Sequence, residues 1–397
     1  MNWSQHFADA TANLRRNTVR EFLKYAKRRG MISFGGGLPA PELFPIAEFE
    51  KASEAVLRCA GVKALQYGES EGVAELRQWV AADAGVAAEN VLITSGAQQA
   101  LDLLGRVLIN KGDSVAVENP TYLALLSSWR VHGPNFAAVH SDADGLCVDG
   151  LRPGAKLLYL VPNFQNPQGT TLASERRAEL ATFAKQNEMI VVEDDPYGDL
   201  RYQGEALPSV FDIAGKADGP VARVGTFSKV LAPGLRVGWL IADRAVLEKV
   251  VQVKQSSDLH TSTFNQYLAL ELVTNHVLET QIPKLCSEYR RRRDVMLESL
   301  TETMPHGVRW TKPQGGMFLL VTLPRELKGA EIARAALAEN ILVVPGEDFH
   351  VIGGENTLRL NFSNCTPELI RTGIGRLARI VRAHLETANY PVSFSSV

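Results

Sequence analysis

Short apolar runs alternate with helical segments along the central part of the chain, and this alternation restricts the fold more than any other feature. The apolar runs are four to six residues long, rich in Val, Ile and Leu, and occupy positions 91–94, 114–118, 157–161, 189–193 and 221–226. Runs of this length and β-branched content predict buried strands. Because strands that alternate with helices form a parallel, doubly wound sheet, we predict an α/β fold.

Polar and small residues follow each predicted strand at the point where it ends. In chain order these clusters read SGAQQ, NPTY, PNFQNPQG, EDDPY and TFSK. In doubly wound sheets, ligands bind at the carboxyl ends of the strands. We therefore expect the clusters to meet in one site at that edge of the sheet.

The TFSK cluster offers an amine (Lys229), two hydroxyls (Thr226 and Ser228) and, further on, the guanidinium of Arg236. Hydroxyls and a guanidinium at a strand end suit a phosphate. A lysine beside them that is partly removed from water loses some preference for its charged form, as an amine that attacks a carbonyl requires. Taken alone, the loop could equally carry a solvated lysine.

Pyridoxal phosphate needs all these parts, because it carries an aldehyde, a phosphate, a basic ring nitrogen and a phenolic oxygen. Lys229 is predicted to hold the aldehyde. The turn between strand and helix at SGAQQ presents backbone N–H groups to an anion. The residues predicted to hold the phosphate are Gly96, Ala97, Gln98, Thr226, Ser228 and Arg236.

The ring of this cofactor needs partners of its own. An aspartate paired with the ring nitrogen keeps the nitrogen protonated, and either Asp194 or Asp195 could serve. Asn166 and Tyr197 can hydrogen-bond the phenolic oxygen, and Tyr122 can stack on the ring.

Arg359 is a cation on the otherwise apolar strand TLRLNF. A buried arginine requires a bidentate anion, and the α-carboxylate of a substrate would meet that need. The alternative is a structural ion pair within a small domain.

The pattern changes to α+β after about residue 308, which predicts a second, smaller domain. We place a large domain at 46–300 and a small domain at 301–397, and we expect the segment 1–45 to join the small domain. The basic run 288–294 is interpreted as a solvated helix face.

Composition excludes several function classes. The chain has 397 residues and a formal net charge of −2, so nothing attracts it to nucleic acid or an anionic membrane. No apolar run approaches the ~18 residues of a membrane helix. Four scattered cysteines without metal-ligand spacing predict no metal site and a reducing, cytoplasmic location.

These motifs together resemble the fold-type I, class I/II aminotransferases that depend on pyridoxal phosphate. FGGGLPAPELFP and LQYGESEG are similar to signatures of the 2-aminoadipate/kynurenine aminotransferase group. The resemblance implies a large doubly wound, mostly parallel sheet domain with a smaller α+β domain. It also implies a homodimer with shared active sites.

The resemblance assigns roles to individual residues. Lys229 would carry the cofactor and later move the substrate proton. Asp194, three residues before Tyr197 in the D-x-x-Y spacing of the family, would pair with the ring nitrogen in preference to Asp195. Arg236, seven residues after the lysine, would bind phosphate.

Further implied roles concern the substrate and the partner subunit. Gly37 and Arg359, with Asn166, would face the substrate, and Tyr67 would reach the phosphate of the neighbouring subunit. We expect Arg20 to bind the distal carboxylate of a dicarboxylic substrate. Two positions depart from the pattern: Ala97 lacks the hydroxyl common there, and Thr226 replaces a serine.

We therefore predict an aminotransferase that exchanges the amino group of 2-aminoadipate or glutamate with a 2-oxo acid such as 2-oxoglutarate. Aromatic and branched-chain amino acids are further candidate donors. One alternative is the aminotransferase-like sensor domain of a transcription regulator. Only about 45 residues precede the predicted sheet, fewer than a DNA-binding domain needs. The other alternative is a different reaction of the same cofactor, such as elimination, racemisation or decarboxylation.

Overall fold

The computed structural model describes residues 1–14, 24–26 and 28–389, whose strands form one large sheet and two smaller ones. The strands are β1 (Ile32–Ser33), β2 (Val91–Thr94), β3 (Ser114–Asn119), β4 (Asn135–Asp142), β5 (Gly145–Leu146), β6 (Leu157–Leu160), β7 (Ile190–Asp194), β8 (Val221–Thr226), β9 (Gly238–Ile241), β10 (Arg309–Trp310), β11 (Phe318–Thr322), β12 (Ile341–Leu342), β13 (Val344–Pro345) and β14 (Thr357–Asn361). The α-helices are α1 (Ile46–Leu65), α2 (Ala74–Ala84), α3 (Ala97–Leu108), α4 (Leu123–Trp129), α5 (Ser174–Gln186), α6 (Val210–Ile213), α7 (Arg244–Ser257), α8 (Thr263–Thr274), α9 (Val277–Thr303), α10 (Gly329–Ala338) and α11 (Pro367–Asn389). Over the described ranges, no helix is both long and apolar enough to cross a lipid bilayer.

The large sheet has the strand order β2-β9-β8-β7-β6-β3-β4-β5. Its central strands, from β8 through β7, β6 and β3 to β4, are parallel, and antiparallel pairs lie at both edges. Every residue of β2 and β6 is buried, as expected for strands covered on both faces. The predicted α/β fold with a mostly parallel sheet is confirmed.

One strand of this sheet, β4, was not identified from the sequence. It pairs with β3 in parallel, but most of its residues stay partly or fully exposed. Its sequence, NFAAVHSD, therefore lacks the continuous apolar run that marks a central strand.

The small unit is built on the antiparallel sheet β10-β11-β14-β13. The strand β1 pairs in parallel with β12, aligning Ile32 with Ile341 and Ser33 with Leu342. The N-terminal segment is thus hydrogen-bonded to the chain beyond residue 300.

The interpretation of 288–294 as a solvated helix face is wrong for two of its arginines. Arg292 and Arg293 lie on α9 with 3% and 2% of their surface exposed. Arg292 donates hydrogen bonds to Glu288, to Glu42 and to the backbone O of Ser363. The helix packs against other elements along this stretch, so Arg292 pairs with Glu42 and Arg293 donates to Gln203 and to the backbone O of Pro313.

Candidate active site

A cavity opens where β6, β7 and β8 end and α3 begins. Ten of the residues predicted from the motifs line it: Ala97, Gln98, Tyr122, Asn166, Asp194, Tyr197, Thr226, Ser228, Lys229 and Arg236. They come together because parallel strands place their carboxyl ends, and the loops that follow, at one edge of the sheet.

Lys229 follows β8 and is half-buried in the cavity. Its Nζ donates a hydrogen bond of 2.9 Å to the backbone O of Gly37. Burial lowers the pKa of Lys229 to about 8, assisted by the positive charges of Arg359 and Arg236 and opposed by Asp194. A primary amine attacks carbonyl groups in its neutral form, so this lysine can react near physiological pH.

Asp194 ends β7 and is 3% exposed. Its Oδ2 accepts a hydrogen bond of 2.8 Å from Tyr159 Oη, whereas its Oδ1 has no partner among the described residues. Burial raises the pKa of Asp194 to about 7. A buried carboxylate with an unpartnered oxygen in a cavity wall is suited to a cationic nitrogen, which would stabilise its ionised form. The ring nitrogen of pyridoxal phosphate fits this requirement.

The turn between β2 and α3 lies against Arg236. Gly96 has a φ of 82°, a conformation that favours glycine, and the guanidinium of Arg236 occupies the space that a Cβ would take. Arg236 Nη2 donates to the backbone O of Ser95 over 2.9 Å. The hydroxyl oxygens of Thr226 and Ser228 lie 2.9 Å apart. The N-terminus of α3, the guanidinium and two hydroxyls form a donor set that suits a phosphate.

Tyrosines form other parts of the wall. Tyr122 Oη donates to Gln98 Oε1 over 3.4 Å. Burial raises the pKa of Tyr197 far above its ordinary value, although a hydrogen bond with Asn166 acts in the opposite direction. The hydroxyl of Tyr197 therefore stays protonated and available as a hydrogen-bond donor.

Arg359 on β14 is 4% exposed, and burial lowers its pKa to about 10. It donates to Asn166 Oδ1 over 3.1 Å and to the backbone O of Gly35 over 2.5 Å. Its guanidinium lies 4.5 Å and 4.9 Å from the ring centres of Phe318 and Phe349. The described residues give it no ion pair, and its Nε has no hydrogen-bond partner there. A structural ion pair, the alternative considered from the sequence, is thus not found in this part of the chain.

Four predicted residues in the described part of the chain do not line this cavity. Gly37 and Arg359 are hydrogen-bonded to Lys229 and Asn166 in its wall, and Gly96 lies against Arg236. The fourth is Tyr67. Tyr67 is 79% exposed and contacts the ring of His260, with the ring centres 5.7 Å apart. Arg20 lies outside the described residues. In the described ranges, no group of three or more His, Cys, Asp or Glu side chains could hold a metal ion.

Sequence reasoning missed Tyr159, which lines the cavity and holds Asp194. A tyrosine within the apolar strand LLYL is typical of a core residue, so the strand pattern gave no functional signal. The position of the strand beside β7 was the available clue, since neighbouring strand ends face the same site.

The chain is similar to known transaminases over nearly its whole length. The family model for aminotransferases of class I and II matches residues 42–377. The 2-aminoadipate transaminase of Thermus thermophilus is 42% identical over 393 residues, which cover 97% of this chain and 98% of that protein. Aromatic-amino-acid aminotransferase 1 of Thermococcus litoralis is 40% identical over 403 residues, which cover 97% of this chain and 96% of that protein.

A solved structure with the same fold is that of LysN, an alpha-aminoadipate aminotransferase of Thermus thermophilus, complexed with N-(5'-phosphopyridoxyl)-L-leucine. It matches with a TM-score of 0.91 at 40% identity, covering 97% of this chain and 100% of that chain.

Proposed function

The chain belongs to the class I and II aminotransferases, and on that basis we propose that it transfers the amino group of 2-aminoadipate or glutamate to 2-oxo acids such as 2-oxoglutarate. It is a pyridoxal-phosphate-dependent enzyme whose substrates are amino acids and 2-oxo acids. The observation that carries the proposal is Arg359, a buried cation without an anionic partner in the described structure, hydrogen-bonded to Asn166.

Different residues around the cavity hold different parts of the cofactor. Pyridoxal phosphate supplies an aldehyde that exchanges with the substrate amino group and a ring that stabilises negative charge at the substrate Cα. Lys229 holds the aldehyde end, and Asp194 faces the ring nitrogen. The phosphate is held by Gly96, Ala97, Gln98, Thr226, Ser228 and Arg236.

Substrate orientation selects amino transfer over the other reactions of this cofactor. Arg359 and Asn166 hold the α-carboxylate, which keeps the bond to the carboxyl group intact and directs the Cα proton toward Lys229. An amine with a pKa of about 8 can accept a proton and return it near neutral pH. Tyr197 donates its hydrogen bond to the phenolic oxygen, and Tyr122 covers the ring.

The preference for dicarboxylic substrates rests on the relatives and on a second cation. One relative is named for 2-aminoadipate. With the α-carboxylate on Arg359, a distal carboxylate needs another positive group, for which we propose Arg20. The relative named for aromatic amino acids and the leucine-derived ligand of the solved neighbour support apolar side chains as further substrates.

We also propose that the active unit is a homodimer in which Tyr67 reaches the phosphate of the partner subunit. Tyr67 is exposed, and apolar residues of α1 before it are exposed as well, with Val62 at 88% and Leu65 at 73%. Large apolar side chains grouped on a surface favour a protein interface. The scattered free cysteines support a reducing, cytoplasmic location.

The proposal is tested by single half-reactions of the holoenzyme with a panel of amino acids and no acceptor. An aminotransferase converts the cofactor to its pyridoxamine form and releases one equivalent of 2-oxo acid per site. We expect 2-aminoadipate and glutamate to react most efficiently. Release of ammonia or racemised amino acid, with the cofactor unchanged, would show another reaction type. Borohydride reduction of the holoenzyme followed by peptide mapping should place the label on Lys229.

A further inference from the structure

A fully buried lysine lies behind the turn that begins α3. The side chain of Lys254, on α7, has no exposed surface. Its Nζ donates to Asp258 Oδ1 over 2.7 Å and to Gln99 Oε1 over 3.1 Å. Lysines are almost never fully buried without such partners, because removing the ammonium group from water is costly. A lysine buried in this way does not serve as a solvated surface charge, and its hydrogen bonds indicate a structural role.

Hydrogen bonds lead from this lysine to the phosphate end of the cavity. Asp258 Oδ2 accepts from Gln99 Nε2 over 2.6 Å and from Ser95 Oγ over 3.0 Å. Gln99 Oε1 also accepts from the backbone N–H of Ser95 over 2.7 Å. The backbone O of Ser95 in turn accepts the bond from Arg236. Through Gln99 and Asp258, this pair thus holds the backbone N–H and the side-chain hydroxyl of Ser95, the first residue of the turn between β2 and α3.

We propose that Lys254 is a positioning residue for the cofactor phosphate. Through Asp258 and Gln99 it holds Ser95, so that the N-terminus of α3 and the guanidinium of Arg236 face the same point. This inference rests on the proposed phosphate contacts, and none of its steps places Lys254 in contact with the cofactor.

Positioning can be separated from simple attraction of charge, because the two members of the pair have opposite signs. If only charge mattered, Lys254→Met would weaken anion binding and Asp258→Asn would strengthen it. If the pair positions the turn, both variants weaken binding. The double variant should then bind the anion no more weakly than the single variant with the larger loss, because both substitutions act on one network.

The experiment measures dissociation constants of pyridoxal phosphate and of inorganic phosphate for the full-length protein freed of cofactor. We expect each single variant to weaken both ligands by about 10- to 100-fold, as for a lost hydrogen bond to a charged group. Lys156→Met is the matched control. It removes the ion pair of 2.6 Å between Lys156 and Asp113. Lys156 precedes β6, at the end of the strand opposite to the cavity, so both constants should stay unchanged.

Tighter binding by Asp258→Asn, unchanged binding by Lys254→Met, or an equal loss in the control would overturn the inference. Circular dichroism and thermal unfolding establish that each variant is folded. Should Lys254→Met not fold, the sign of the change in Asp258→Asn alone decides the matter. Arg236→Met, measured beside them, tests the phosphate assignment itself. If it leaves both constants unchanged, the assignment and this inference fail together; if it weakens binding while Lys254→Met does not, only the inference fails.

Discussion

Burial and two nearby cations favour the neutral form of Lys229, and Asp194 opposes them. Burial has the largest effect on its pKa, followed by the guanidinium of Arg359 and then that of Arg236. In the proposed site these two cations bind the anionic ends of substrate and cofactor. The same two groups therefore hold the reactants and keep the amine between them reactive.

Arg359→Met is expected to raise the pKa of Lys229, because loss of a nearby positive charge favours the ammonium form. Capture of pyridoxal phosphate by cofactor-free enzyme needs the neutral amine. In the unmodified protein its rate should rise with pH and level off above about pH 8. In Arg359→Met the midpoint should move to higher pH. Arg106 is exposed and pairs with Asp102, so the control variant Arg106→Met should leave the midpoint in place. A shift of the midpoint to lower pH in Arg359→Met would contradict the prediction.

Arg20→Ala is expected to separate substrates by their side chains. A charge-assisted hydrogen bond contributes roughly 1.5–3 kcal/mol, which corresponds to about 10- to 100-fold in kcat/KM. The loss should appear for 2-aminoadipate and glutamate, whereas leucine should be nearly unaffected. Arg16→Ala, in the same basic segment, serves as the control. Equal losses for all three substrates would mean that Arg20 has a structural role.

Among the elements, α9 shows how one helix can carry both solvated and buried charges. Arg291 is 57% exposed and pairs with Glu288, whereas the side chain of the next residue, Arg292, is 4% exposed. The buried residue connects α9 to Glu42 in the N-terminal segment and to Ser363 after β14. The helix thus joins three distant parts of the chain through one guanidinium.

This difference predicts unequal effects on stability. Arg292→Met should lower the free energy of unfolding by about 2–4 kcal/mol, because it leaves the buried carbonyl of Ser363 without a donor and removes the ion pair with Glu42. Arg291→Met should change it by about 0–1 kcal/mol, as for other exposed ion pairs. Chemical denaturation of both variants measures the difference. Similar values for the two would show that burial of Arg292 does not matter to stability.

For the whole molecule, we propose a large domain at 46–300 and a small one at 301–397, with 1–45 joined to the latter. The pairing of β1 with β12 supports the last assignment. The cavity is lined by residues of the large part, and the small sheet contacts its wall through the hydrogen bond from Arg359 to Asn166. Relative movement of the two domains would therefore alter the site directly.

Mixed dimers of Tyr67→Phe and Lys229→Ala subunits test the shared site. If Tyr67 serves the partner, each mixed dimer has one site with both changes and one site with neither. Activity should then rise above that of either parent dimer as the subunits exchange. Light scattering and a tag on one subunit establish that mixed dimers form. If exchange is complete and activity does not recover, Tyr67 does not act across the interface.

Local features of the sequence determined the sheet and the residues at its edge. Strand periodicity depends on neighbouring residues, and the chemistry of a motif such as TFSK is present in its own side chains. The predicted parallel strands therefore form, and the residues named at their ends line one cavity. The strand β4 was not predicted, because most of its residues are partly or fully exposed and its sequence lacks a continuous apolar run.

Contacts between distant segments were decided only in the folded chain. Asp194 receives its hydrogen bond from Tyr159 on the neighbouring strand, and Arg359 donates to the backbone of Gly35, 324 residues away in sequence. The same holds for the burial of Arg292, whose sequence surroundings are those of a solvated run. Whether a charge is solvated, paired or left for a ligand depends on which elements pack around it. That is a property of tertiary packing, and local periodicity carries no information about it.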